Sequence, residues 1–148
     1  MMFKFLKISK KNGLPPGSLV HVGEKRTEEV KVTVTRYNEK KLSFEEIEKE
    51  NISSISINQD EVNWININGV HDIEAIETIG KIFSLHPLVM EDIMNTGQRP
   101  KMESYTDYIY FVLKMIYWDE DEEIITIEQV SLILGSNFVI SFQERESN

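Results

Sequence analysis

The sequence predicts an α/β domain: a mixed parallel and antiparallel sheet with helices packed on it. Three observations carry that prediction. Val30, Val32 and Val34 alternate with Lys31, Thr33 and Thr35, the signature of a strand with one buried and one wet face. Ile73, Ile76, Ile79 and Phe83 recur at helical spacing. From Met102 onward the chain consists of strand-like runs separated by turn signals, so the second half of the sheet should be antiparallel. At 148 residues one such domain buries roughly two-thirds of the surface its unfolded chain exposes.

Residues 1–17 read as a lead-in closed by "GLPPG", and 18–148 as the domain. "SLVHVG" and "EVKVTVTRY" are expected strands. In "KKLSFEEIEKE" Ser43 and Glu46 have capping-box spacing, flanked by Leu42 and Ile47, which predicts a short helix from Phe44. Val62 to Ile67 should be a strand ended by Asn68-Gly69. A helix follows, with Asp72 as its cap. His86-Pro87 breaks that helix and opens a second, short one, because proline suits a first helical turn but disfavours helix in the residue before it.

"DYIYFVLKMIYW" is apolar on both alternating sets, which predicts a strand covered on both faces. "DEDEE", Asp119 to Glu123, should turn it into "IITIEQVSLIL", and Gly135-Ser136-Asn137 should turn that strand into "FVISFQE".

Composition excludes several functions. The absence of cysteine removes disulfides, thiolate metal sites and cysteine nucleophiles. A net charge of -9 disfavours nucleic acid as a partner and favours cations. Lys114 interrupts the richest apolar run, so no stretch reaches the ~18 residues that cross a bilayer. The opening residues have no long apolar centre or small-residue cleavage pattern, and do not read as a signal peptide. No phosphate-binding glycine motif, nucleophile elbow or H-E-x-x-H pair is present, and the chain is not expected to be an enzyme.

Glu91 and Asp92 are the candidate metal ligands, since their oxygens suit Mg²⁺ or Ca²⁺ and they sit on an ordered helix. Neighbours on a helix point about 100° apart, so the pair cannot clamp one ion from a single face and a partner surface must supply the rest. By residue type alone, two solvent-facing helix carboxylates are the favoured account, since such pairs are common in an acidic chain.

The ordered set His86-Pro87-Leu88, Glu91-Asp92-Ile93, Asn95, Gln98-Arg99-Pro100-Lys101, Leu113-Lys114-Met115, Gln129-Val130-Ser131 and Phe142-Gln143-Glu144 resembles the cytoplasmic N-terminal domain of the CorA family of Mg²⁺ and Co²⁺ transporters. "GLPPGSLVHVG" and "WININGVH" fit the same pattern, and Gly97 stands where many relatives have histidine. The resemblance implies an αβα layered domain forming the cytoplasmic funnel of a homopentameric channel in the cell membrane. A long helix and two membrane spans would follow residue 148, and the membrane would be reached only through them. It also implies that Asp92 helps bind a regulatory Mg²⁺, or Co²⁺, between neighbouring subunits, with Glu91 contributing to a second, looser site. The isolated domain is not expected to bind the ion tightly or to self-associate strongly. A related Zn²⁺ transporter domain and a free-standing α/β ligand-binding module are the competing readings. The regulatory reading requires that no arginine or lysine of the domain's own core pins Asp92 away from a hydrated ion.

Overall fold

The computed structural model describes residues 13–27, 29–119 and 123–146. Seven strands form one sheet in the order β2-β1-β3-β7-β6-β5-β4. They are β1 (Lys31–Tyr37), β2 (Leu42–Ile47), β3 (Val62–Asn68), β4 (Lys101–Ser104), β5 (Ile109–Asp119), β6 (Ile124–Leu134) and β7 (Phe138–Gln143). β3 and β7 run parallel and every other neighbouring pair is antiparallel, the mixed sheet the sequence predicts. The parallel join is possible because two helices, α1 (Ile73–Ile82) and α2 (Pro87–Met94), lie in the long connection between β3 and the C-terminal strands.

The register puts Val32, Val34, Ile65, Ile67, Ile140, Phe142, Ile133, Tyr110 and Val112 on one face. That face packs against Ile76 and Ile79 of α1 and Val89, Ile93 and Met94 of α2 in a single core. α1 begins where it should: Asp72 accepts the Ala75 amide at 3.0 Å. It ends at Ile82, earlier than the proline, and just beyond it the left-handed φ of 50° at Ser84 lets the Leu85 amide reach back to the Gly80 carbonyl. His86 caps α2 through Nδ1, which accepts the Leu88 amide at 3.2 Å.

Three expectations are corrected. "SLVHVG" is not a strand; it makes one parallel bridge, Val22 to Asn95. The helix expected from Phe44 is strand β2, with a 3₁₀ turn only afterwards at Lys49–Ser54. A tight turn decides this: Asn38 Oδ1 accepts the Lys40 and Lys41 amides at 2.9 and 3.0 Å, folding the chain back along the open edge of β1. Ladder hydrogen bonds to β1 then outweigh the capping-box spacing.

β5 is likewise buried on one face rather than two. Tyr108, Tyr110 and Val112 are in the core, while Leu113 on the opposite face is 43% exposed. Among the described residues, the helices contribute their buried side chains to one face of the sheet alone. The "DEDEE" turn lies largely outside the described residues, as do residues 1–12 of the lead-in.

Candidate metal site around Asp92

α2 aims its two adjacent carboxylates in different directions, as helix geometry requires. Glu91 Oε2 accepts the Gly17 amide at 2.6 Å, which ties the end of the "GLPPG" turn to the helix. Asp92 turns toward β4. Its Oδ1 accepts Gln98 Nε2 at 2.8 Å and its Oδ2 meets Lys101 Nζ at 2.6 Å.

Lys101 is the first residue of β4, directly after the rigid Arg99-Pro100 step. Lys101 and Glu103 lie two apart on this strand and therefore project to the same face, beneath α2. Lys101 Nζ donates to Glu103 Oε1 at 2.7 Å and sits 5.6 Å from the Tyr110 ring centre. Tyr105 Oη donates to the other Glu103 oxygen at 3.1 Å.

Partial burial works to lower the Lys101 ammonium, but the hydrogen bonds and charges of Asp92 and Glu103 outweigh it and hold it above the ordinary lysine value. The Lys101 hydrogen bond holds Glu103 below the usual carboxylate range, against its own partial burial. Burial, with the Glu103 hydrogen bond, pushes the Tyr105 hydroxyl up to about 12.

The backbone beside the site is fixed as firmly. Gln129 of β6 donates from Nε2 to the Asp92 carbonyl at 3.1 Å, and its Oε1 accepts the Gln98 amide at 3.1 Å. Lys114 Nζ bonds the Thr96 carbonyl at 2.8 Å and Gln129 Oε1 at 3.3 Å. Burial lowers Lys114, with Arg26 adding to the effect. The loop from Thr96 to Lys101 is thus fastened to the sheet by side chains, an arrangement that holds Asp92 in one orientation.

The Asp92 carboxylate is therefore already paired with a cation of its own domain. The pair is not sealed: the side chains of Asp92 and Lys101 are 20% and 29% exposed. Hard oxygen donors suit a divalent ion, yet among the described residues no three of His, Cys, Asp or Glu come together as a metal cage. A divalent ion at Asp92 would have to exchange with the lysine and draw ligands from elsewhere. Reasoning from the sequence missed Lys101, Gln98, Glu103 and Gln129 as parts of this site. Three of the four lie in the family-like segments, and nothing in their spacing pointed at Asp92.

A mixed seven-stranded sheet with two helices packed on one face defines an α/β layered domain. The fold matches the complete CorA magnesium transporter from Methanocaldococcus jannaschii with a TM-score of 0.55 at 14% identity, covering 79% of this chain and 32% of that one. The soluble domain of the same archaeal protein matches with a TM-score of 0.52 at 13% identity, covering 77% of this chain and 40% of that one. At that identity the likeness is one of fold. The sequence comparison goes further: residues 59–148 match the model of the CorA-like Mg²⁺ transporter protein family. The chain belongs to that family. It is 40% identical to the cobalt/magnesium transport protein CorA of Thermotoga maritima over 141 residues, 94% of this chain and 39% of that protein. The chain thus spans well under half the length of this relative. Among the described residues no helix is long and apolar enough to cross a membrane.

Proposed function

We propose that this chain is the cytoplasmic regulatory domain of a channel-type Mg²⁺ and Co²⁺ transporter in the cell membrane, working as a homopentamer. The observation that carries the reading is the 40% identity, over 94% of this chain, to a cobalt/magnesium transport protein. Asp92 is the proposed ligand for a Mg²⁺ bound between neighbouring subunits, and Glu91 contributes to a looser second site. Support comes from the rigid mounting of Asp92 on α2 and from its partial exposure, 20% of the side chain, at which a neighbouring subunit would complete the site. Mg²⁺ retains several waters, so few direct protein ligands are needed.

The domain's own charge of -9 gives the gate its force. Ions between subunits neutralise facing carboxylates and hold the funnel closed; their loss leaves like charges to repel, and the population shifts toward an open state. Trp64, Leu113 and Leu134, exposed on the sheet face opposite the helices, fit a domain that works packed against a further element of the full-length protein.

The test uses the assembled full-length transporter. Mg²⁺ should protect it from limited proteolysis, and Asp92→Ala should weaken that protection while leaving the domain's circular dichroism unchanged. Equal protection of the variant overturns the site. Replacing Mg²⁺ by Co²⁺ should preserve protection; protection by Zn²⁺ alone would favour the zinc-transporter reading.

A further inference from the structure

We infer that Lys101 is a built-in counter-cation for the Asp92 site, so that a divalent ion fills the site only by displacing this ammonium, and the lysine sets the ion concentration at which filling occurs. This inference rests on the proposed role of Asp92.

The geometry is that of an occupied cation position. Lys101 Nζ lies 2.6 Å from Asp92 Oδ2 and 2.7 Å from Glu103 Oε1. The remaining oxygen of each carboxylate is held by an uncharged donor, Gln98 Nε2 on Asp92 and Tyr105 Oη on Glu103. Two carboxylate oxygens from α2 and β4 are therefore fixed facing one point, and the ammonium stands on it. Removing the charge while keeping the backbone leaves two aimed oxygens and a local charge of two negatives in place of one. Hard divalent ions favour such oxygens over any other donor type.

An intramolecular ligand competes at a high effective concentration, because its tether never lets it diffuse away. The lysine therefore raises the free ion concentration needed to fill the site, in the manner of a permanent competitor. Its four-carbon stem and partial exposure give the displaced ammonium a route to solvent. Pairing of a charge at such a partly exposed position, still open to solvent screening, is modest in strength, so competition weakens the site by about tenfold and leaves it reversible. A far stronger pair would keep the ion out at any concentration.

A purely structural role, tying β4 to α2, predicts something different. Then Lys101→Met would lower thermal stability and leave ion affinity unchanged. The experiment is a Mg²⁺ titration of the assembled full-length transporter, with the midpoint of protection from limited proteolysis as the readout. Lys101→Met keeps the stem over the Tyr110 ring and should tighten Mg²⁺ binding about tenfold. Lys101→Arg should keep the wild-type affinity, and Asp92→Asn should abolish the Mg²⁺-dependent protection. Lys101→Gln serves as the second neutral variant if Lys101→Met loses the native circular dichroism. If both neutral variants bind no more tightly than wild type while Asp92→Asn still abolishes binding, the counter-cation is refuted and the Asp92 site stands. If Asp92→Asn responds to Mg²⁺ as wild type does, the site itself is refuted and the counter-cation falls with it.

Discussion

Glu128 and Glu144 cap one another's strands. Glu128 Oε1 accepts the Glu144 amide at 2.7 Å, and Glu144 Oε1 accepts the amide of Gln129, next to Glu128, at 2.8 Å. The β6–β7 ladder ends at Val130 and Gln143, and the carboxylates take over the backbone groups that lie just beyond it. Arg26 Nε stands 3.1 Å from Glu144, and Arg145 lies 3.8 Å from Glu128 and stacks on Tyr117. The same Gln129 whose amide is capped here holds the Asp92 carbonyl, so this latch anchors the candidate metal site from below.

This latch makes stability depend on pH in an unusual direction. Burial pushes Glu144 above the usual carboxylate range, although the Gln129 amide and the Arg26 guanidinium pull the other way. The folded state thus holds this proton more tightly than the unfolded chain does. Its contribution is fully present below the ordinary glutamate value and is lost as pH rises through the raised one. Urea unfolding of wild type and Glu144→Gln at a series of pH values should show the wild type losing ground to the variant as pH rises from about 4.3. A flat difference across that window would count against a buried, ionised Glu144.

Asp72 gives the opposite sign. Partial burial works to raise it, but the Lys49 hydrogen bond, the Ala75 amide and the Lys49 charge outweigh this and hold it below the usual range. Its stabilisation is present above the ordinary aspartate value and disappears as pH falls through the depressed one. Asp72→Ala should cost about 1 kcal/mol near neutral pH, the usual worth of a helix cap. Asp72→Asn should recover most of that loss through the Ala75 amide but lose the pH dependence, as read by thermal unfolding between pH 3 and pH 7 (about the range bracketing the ordinary value).

The β5–β6 hairpin extends past the core and carries apolar residues into solvent. Ile116 and Ile127 are cross-strand partners, 64% and 49% exposed. Trp118 and Ile125 form the next pair on the same face. Such a surface promotes association rather than folding. The double variant Ile116→Thr/Ile127→Thr keeps β-branched residues and should change unfolding stability by no more than about 0.5 kcal/mol. Its aggregation onset in a light-scattering melt should move to higher temperature; an earlier onset would mean the pair supports the fold.

Much of this domain was legible in its sequence because the signals were local. The alternation in β1, the Asp72 cap of α1 and the Pro87 start of α2 each depend on residues within a few positions, and each element forms as the pattern predicts. The ordered family-like segments likewise placed the chain in its family, since they record residue types and order. The capping-box spacing at Ser43 misled because helix and hairpin were both locally feasible there, and the Asn38 turn, by laying the chain along β1's open edge, chose between them.

Which charges meet was decided by the tertiary structure alone. The sequence determined that Asp92 would sit on a short helix and point away from Glu91, since 3.6 residues per turn fixes that. It did not determine that an edge strand nine residues later would deliver Lys101 to the same carboxylate, because that encounter depends on how α2 lies across β4 and β5. Pairing of side chains through space follows from register and packing, and neither is written in the spacing of the residues themselves.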